Sequence, residues 1–193
     1  VLPTMVTVGN GSNDIIEFIA KCFLSFGDTA IYSKHGFAIY PLAVKASGAE
    51  AIKVEAKNWG HDLEAMADAI QENTKVIFIA SPNNPTGTAL TLEEIEKFLT
   101  KIPDNIVVLI DQAYFEYVEN EEFKVPFKLV EKFKNLIISR SFSKAHGLAA
   151  FRLGFSISSE EIADYLNRVR QPFNANSLAL AAGIEAIEDE EHI

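Results

Sequence analysis

The chain has 193 residues, of which 48% are hydrophobic and 23% are charged, a balance typical of a globular domain with its own core. Its formal net charge of −10 argues against nucleic acid as a general partner, because neutralising phosphates requires a basic surface. No apolar run is long enough to span a bilayer, no signal peptide is visible, and a single cysteine excludes an internal disulfide. We therefore expect a cytoplasmic protein that does not enter membranes.

Short apolar runs alternate with amphipathic stretches along the chain. Strands are predicted at residues 5–10, 29–33, 50–56, 75–81, 105–111, 135–141 and 152–158. Helices are predicted at residues 14–26, 37–47, 62–72 and 159–170, and another begins at Thr91, where Glu94 completes a T-x-x-E capping box. Because the strands are apolar on both faces, the pattern predicts an α/β fold, a three-layer αβα sandwich with a mostly parallel sheet.

The end of the chain, residues 181–193, has a helical pattern with no stop signal. Linkers, repeats and low-complexity tracts are not apparent, so a single domain fits the whole chain. We therefore expect residues 1–193 to be one domain of a longer polypeptide.

Polar residues follow the predicted strands, and in an open α/β sheet ligands bind outside the carboxyl ends of the strands. The first such segment, GNGSND at residues 9–14, combines glycines with the start of a helix. Free backbone amides and the helix dipole would form an anion site there, although an ordinary strand-to-helix turn explains these residues equally well. Asp14 stands where a dinucleotide-binding motif has its third glycine, so that reading is weak.

Two further strands are followed by candidate binding groups. The loop SPNNPTG, residues 81–87, contains two prolines and a glycine, so it either forms a strong turn or holds the Asn84 amide in one position. Asp111 ends a very apolar strand, where it would cap a following turn or act as the counter-ion of a buried cation. Tyr114 lies three residues further on, within reach of the same site.

The segment SFSKAHGLAAFRLGF, residues 141–155, places one amine among hydroxyls and a guanidinium. A partly buried Lys144 would be a nucleophile for carbonyl groups, while Ser141, Ser143 and Arg152 would bind a phosphate. A solvated lysine and a surface arginine are the simpler alternative. The segment also matches the S-x-x-K motif of serine acyl enzymes, but the companion S-D-N and K-T-G motifs are absent from the sequence.

The histidines and the cysteine carry less information. His35, His61 and His192 lack the spacing of metal ligands and are expected to occupy ordinary polar positions, and no metal site is predicted. Nothing in the sequence fixes a role for His146. Cys22 lies in an apolar helical pattern and is expected to be buried in the core.

Taken together, SPNNPTG, DQAY, SFSK and FRLGF, in this order and spacing, resemble the large domain of fold-type I pyridoxal-phosphate-dependent aminotransferases. The resemblance covers essentially the whole chain. Within that family, the segments GNGSNDIIEFI, HGFAIY and SKAHGLAAFRLGF look most like the histidinol-phosphate aminotransferases. The resemblance implies transamination between L-histidinol phosphate and 2-oxoglutarate, giving imidazole acetol phosphate and L-glutamate in histidine biosynthesis.

The resemblance also implies roles for single residues. Lys144 would bind the aldehyde of pyridoxal 5'-phosphate covalently and carry the substrate proton, and Asp111 would pair with the pyridine nitrogen. Asn84 and Tyr114 would hydrogen-bond the cofactor's 3'-oxygen. The remaining implied contacts are Phe37 stacked on the ring and a phosphate cup formed by Gly11, Ser12, Asn13, Ser141, Ser143 and Arg152.

The parts implied outside the chain are an N-terminal segment and a C-terminal small domain, so residues 1–193 would be the cofactor-binding large domain of a homodimer. The partners would be a small amino donor and a 2-oxo acid. Alternatives are an aminotransferase for aromatic or acidic amino acids, a related decarboxylase, a serine acyl enzyme using Ser141 and Lys144, or a non-catalytic phosphate-binding module.

Overall fold

The computed structural model describes residues 1–189 and 191–193. Within them, one sheet contains seven strands, which are β1 (Val6–Asn10), β2 (Thr29–Ser33), β3 (Glu50–Val54), β4 (Thr74–Ala80), β5 (Val107–Asp111), β6 (Leu136–Ser141) and β7 (Leu153–Ile157). Their spatial order is β1-β7-β6-β5-β4-β2-β3. The strands lie where the apolar runs predict them, with ends that differ by one or two residues.

Strand β7 runs against the others. It pairs antiparallel with both β1 and β6, whereas β2 through β6 pair parallel with one another. Because β7 separates β1 from β6, β1 points in the same direction as the parallel strands. The carboxyl ends of β1, β4, β5 and β6 therefore open at the same edge of the sheet, where ligands bind in folds of this class.

Helices cover both faces of the sheet. They are α1 (Ser12–Phe23), α2 (Ile39–Ala46), α3 (Leu63–Asp68), α4 (Leu92–Lys101), α5 (Leu129–Lys132), α6 (Glu160–Val169) and α7 (Ser177–Glu188). One core contains side chains of α1, α2 and α6, and the other contains side chains of α3, α4 and α5.

Strand β4 shows how the two cores arise from one sequence run. Ile77 and Ile79 point into one core, and Val76 and Phe78 point into the other, because successive side chains of a strand face opposite sides. The predicted three-layer αβα sandwich with a mostly parallel sheet is confirmed.

Local sequence signals predicted some helix ends correctly and others not. The capping box at Thr91 is present, since its hydroxyl accepts from the Glu94 backbone amide while the Glu94 carboxylate accepts from the Thr91 amide. The helix predicted at 62–72 ends already at Asp68, and the helical pattern that starts at 181 lies in a helix up to Glu188; residue 190 of that pattern is outside the described residues. Among the residues described, no helix is both long and apolar enough to cross a bilayer.

Candidate active site

A small cavity lies at the carboxyl ends of β4, β5 and β6. Its volume is about 60 Å³. It is lined by Ser12, Phe37, Ala80, Pro82, Asn84, Asp111, Ala113, Tyr114 and Lys144. Six of these residues were predicted from the sequence, and they come from segments far apart in the chain.

Asp111 is the buried end of this cavity, with 4% of its surface exposed. Its Oδ1 accepts from the Ser139 hydroxyl at 3.1 Å and from the Ala113 backbone amide at 3.2 Å, and its Oδ2 accepts from the Tyr40 hydroxyl at 3.1 Å. Burial raises the pKa of Asp111 above its ordinary value, and the three donors together with Lys144 only partly oppose this. A carboxylate in this setting needs a cationic partner to stay ionised.

Two of these supports, Tyr40 and Ser139, were not found from the sequence. Tyr40 is fully buried in α2, and burial together with Asp111 raises its pKa well above the ordinary value, so it stays a donor. Because a buried tyrosine hydroxyl needs a hydrogen-bond partner, a tyrosine in a predicted core helix was the sequence signal for this contact. Ser139 interrupts an apolar strand and is paired in register with Asp111, so its polarity was the corresponding clue.

Asn84 and Tyr114 lie in direct contact. The Asn84 side-chain amide donates to the Tyr114 hydroxyl at 3.2 Å. The loop that carries Asn84 is closed by the Gly87 amide, which donates to the Asn83 carbonyl at 2.9 Å. Gly87 has a φ of +71°, the left-handed conformation that glycine tolerates best. The loop therefore holds one amide beside one phenol.

Lys144 lies in the turn after β6, with its Nζ 5.2 Å from the centre of the Tyr114 ring. The Lys144 side chain is exposed in the described chain, which corresponds to the solvated alternative and not to the partly buried one. The turn that carries it lies beyond Ser141, the last residue of β6. Phe37 borders the same cavity and packs edge-on against Tyr40, with 5.9 Å between the ring centres.

A cup of donors lies beside this cavity at the start of α1. Gly11 precedes the helix with a φ of +78°, and no side chain caps the helix, so its first amides are free to bind an anion. A Cβ at Gly11 would lie 2.4 Å from Nη2 of Arg152, which shows how closely the guanidinium approaches. Arg152 Nη1 donates to the Ser143 hydroxyl at 3.3 Å, and the Arg152 carbonyl accepts from the Gly11 amide at 3.0 Å.

Arg152 has left-handed backbone angles, with φ and ψ both 60°. A non-glycine residue in this region is uncommon, and such conformations gather at functional sites. Ser141 completes the cup from β6, and its buried hydroxyl accepts from the Ser143 amide at 3.2 Å. That geometry gives no support to Ser141 as an acyl-enzyme nucleophile. The Asn13 side chain instead donates to Glu17 at 2.8 Å, so its backbone amide is what Asn13 can offer.

Two expectations outside the cavity are wrong. His61 is not an ordinary polar position, because it is buried and its Nε2 lies 3.0 Å from the carbonyl oxygen of Ala80, the last residue of β4. Burial lowers the pKa of His61 to about 4, so the ring is neutral at physiological pH. A lone histidine has no sequence spacing that would reveal such a contact. Cys22 is half-buried at the edge of the core, and its thiol contacts the Tyr165 carbonyl.

Larger cavities lie elsewhere, with volumes of about 510 and 520 Å³, and neither contains a predicted site residue. We place the candidate active site in the small cavity because it joins an anion site, an amine and a buried carboxylate. Within the described part of the chain, no group of three or more His, Cys, Asp or Glu residues could hold a metal ion.

The arrangement can be compared with known proteins. The sequence profile of the family described as "Aminotransferase class I and II" matches residues 3–193. The chain belongs to the class I and II aminotransferase family. A curated relative, histidinol-phosphate aminotransferase 2 of Haemophilus influenzae (strain 86-028NP), is 53% identical over 193 residues, which are 100% of this chain and 53% of the relative.

Solved structures of this family have the same fold. Histidinol-phosphate aminotransferase from Sinorhizobium meliloti, in complex with pyridoxal-5'-phosphate, has a TM-score of 0.94 and 26% identity, over 98% of this chain and 52% of that chain. Aspartate aminotransferase from Thermotoga maritima has a TM-score of 0.89 and 26% identity, over 97% of this chain and 52% of that chain. The aminotransferase chain described here spans about half the length of the relatives it matches.

Proposed function

We propose that this chain is the cofactor-binding large domain of a pyridoxal-phosphate-dependent aminotransferase that uses L-histidinol phosphate and 2-oxoglutarate. The observation that carries the proposal is the meeting of buried Asp111 with Lys144 in one cavity, next to an anion cup. The 53% identity over the whole chain to a curated histidinol-phosphate aminotransferase supports this amino donor.

The residues fit the three chemical parts of such a cofactor. The uncapped start of α1, with Gly11, Ser12 and Asn13, suits a phosphate together with Ser141, Ser143 and Arg152. The Asp111 carboxylate, buried and held by neutral donors, suits a protonated ring nitrogen. Phe37 offers an aromatic face to the same cavity.

When bound, the cofactor supplies an electron-accepting ring that stabilises the substrate after loss of its α-proton. Asp111 would keep the ring nitrogen protonated, which would maintain that capacity. Asn84 and Tyr114 would bind the ring oxygen with their amide and hydroxyl groups. Lys144 would hold the cofactor through Nζ, and the same nitrogen would accept and return the substrate proton.

The remaining parts of the proposal rest mainly on the resemblance. We propose a homodimer located in the cytoplasm, with a small domain and an N-terminal segment supplied by the rest of the polypeptide. Exposed apolar side chains on α7, including Leu178, Ile184 and Ile187, offer a surface that other parts of the assembly would cover. Sedimentation of the full-length protein tests the dimer, and a monomer at micromolar concentration would contradict it.

The test uses the full-length protein with added pyridoxal 5'-phosphate. We expect a visible absorbance band, reduction by borohydride, and a pyridoxyl group on Lys144 in the peptide map. The Lys144→Ala variant should lose the band, whereas Lys134→Ala, at an exposed lysine near β6, should keep it. A pyridoxyl group on another lysine would reject the site assignment.

Activity assays then test the amino donor. With 2-oxoglutarate as acceptor, L-histidinol phosphate should be the best donor in a panel that includes L-aspartate and L-phenylalanine. A clear preference for another donor would keep the cofactor proposal and replace the substrate. Loss of a carboxyl group in place of amino transfer would favour a decarboxylase.

A further inference from the structure

Behind the candidate site lies a buried polar cluster, which we call the Glu116 cluster and define as Gln112, Glu116, Arg140 and His146. Arg140 donates from Nη1 to the Glu116 carboxylate at 3.3 Å and from Nε to the Gln112 side-chain carbonyl at 3.1 Å. His146 Nε2 lies 3.8 Å from the same Glu116 oxygen. The side chains of Arg140, Glu116 and His146 are only 11%, 11% and 12% exposed.

Aromatic rings enclose the charged centre of this cluster. The Arg140 Cζ lies 3.2 Å from the centre of the Phe115 ring and 4.6 Å from that of Phe127. Burial lowers the pKa of Arg140 to about 10, and the Glu116 carboxylate opposes that shift. A guanidinium in this position stays charged because Glu116 compensates it, so removing Glu116 would leave a buried cation with only a neutral amide oxygen.

Each member of the Glu116 cluster lies within two residues of a candidate site residue in the chain. Gln112 follows Asp111, Glu116 comes two residues after Tyr114, and His146 comes two residues after Lys144. Arg140 stands between Ser139 and Ser141, and because side chains alternate along a strand, it faces away from those two hydroxyls. The cluster therefore joins two stretches of the chain, residues 111–116 and 139–146, that also carry candidate site residues.

Within the described chain, three side-chain atoms of the cluster have no hydrogen bond of their own. Glu116 Oε2, Gln112 Nε2 and His146 Nδ1 are buried and have no hydrogen-bond partner among the described residues. The contacts between members therefore add to the backbone hydrogen bond from the Gln112 amide to the Ser139 carbonyl at 2.9 Å, which also connects these stretches. Glu116 is the member that lies close to both Arg140 and His146, and His146 belongs to the turn of Lys144.

We propose that Glu116 is a positioning residue for the cofactor site, which fixes the Tyr114, Ser141 and Lys144 segments through Arg140 and His146. The predicted effect on cofactor affinity rests on the proposed function. Its structural part stands independently, because the two stretches should loosen without Glu116 whether or not a cofactor binds.

The experiment compares Glu116→Gln and Glu116→Ala with the unaltered full-length protein. Glu119→Gln is the matched control, since Glu119 is exposed and three residues away on the same loop. Amide hydrogen exchange of the cofactor-free proteins reports on residues 112–117 and 139–148. Equilibrium binding of pyridoxal 5'-phosphate and the separate values of kcat and KM report on the site.

In Glu116→Ala we expect faster exchange confined to these two stretches and at least tenfold weaker cofactor binding. With saturating cofactor, kcat should fall more than KM rises. Glu116→Gln keeps an acceptor for Arg140 but loses the charge, so its changes should be intermediate, and Glu119→Gln should match the unaltered protein.

Three results would overturn the proposal. One is cofactor affinity in Glu116→Ala within twofold of the unaltered protein. Another is faster exchange spread evenly over the sheet, which would indicate general destabilisation. If Glu116→Ala does not fold, unchanged affinity and exchange in Glu116→Gln would overturn it. Failure of the unaltered protein to bind pyridoxal 5'-phosphate would instead reject the proposed function, and the exchange comparison would still test Glu116.

Discussion

Replacement of Asp111 by asparagine should separate stability from cofactor binding. The change removes a charge at a position that is 4% exposed and keeps the shape of the side chain. The asparagine oxygen can still accept from Ser139 and the Ala113 amide, and the Tyr40 hydroxyl can rotate to accept from the new NH2 group, so the hydrogen bonds need not be lost. Removing one partner of a buried ion pair costs about 3–5 kcal/mol, which predicts cofactor affinity weaker by about a hundredfold or more.

Without cofactor, the same substitution should stabilise the protein. Burial raises the pKa of Asp111 in the folded chain, so the unfolded chain ionises first as the pH rises. Stability is therefore lost between the ordinary pKa of about 3.9 and the raised folded pKa. Asp111→Asn lacks this loss, so at pH 7.5 its melting temperature should exceed that of the unaltered protein. The difference in melting temperature should be larger at pH 7.5 than at pH 4.

The assay is thermal unfolding of the cofactor-free proteins at both pH values, together with equilibrium binding of pyridoxal 5'-phosphate. Asp104→Asn is the control, because Asp104 is exposed on the loop before β5. A lower melting temperature for Asp111→Asn at pH 7.5 would refute the electrostatic reasoning. Cofactor affinity within threefold of the unaltered protein would refute the role of Asp111.

Three further substitutions test other parts of the site. Tyr40→Phe keeps the buried ring but removes the 3.1 Å hydrogen bond to Asp111, so unfolding should become about 1–2 kcal/mol easier and cofactor affinity should fall about tenfold. Denaturant titration and equilibrium binding measure the two effects, and unchanged affinity would contradict the role of Tyr40. Gly11→Ala places a Cβ close to Arg152 Nη2 at a φ of +78°. Phosphate affinity, measured by calorimetry, should therefore fall at least tenfold. Full affinity in this variant would show that the phosphate cup adapts. Thr91→Ala should cost about 1 kcal/mol of stability through loss of the helix cap and leave cofactor affinity unchanged, so a binding defect in this variant would show that the α4 region affects the site.

Much of the site could be predicted because its residues follow strands. Asp111, Asn84 and Lys144 each stand just beyond an apolar run, and parallel strands bring such positions to one edge. The Thr91 cap was predictable for a similar reason, since both of its partners lie within one helical turn. These features depend on residues that are close in sequence or on a rule that holds for the whole fold class.

The supports of the site could not be read in the same way. The Tyr40 hydroxyl reaches Asp111 across 71 positions of the chain, from a helix that looked like ordinary core. His61 contacts the end of β4 from a loop, and Arg140 joins Glu116 across 24 positions. Periodicity records which face of an element is apolar, but it does not record which element lies opposite.

By itself, the sequence determined the alternation of strands and helices, the burial of the sheet on both faces and the polar residues at strand ends, because these depend on local spacing. The tertiary structure alone decided that β7 runs against its neighbours and that Arg152 turns left-handed beside Gly11. It also decided that Lys144 is exposed in this chain while Asp111 is buried. The physical reason is that hydrogen bonds and burial at these positions are set by the order of the strands in space, which local patterns do not encode.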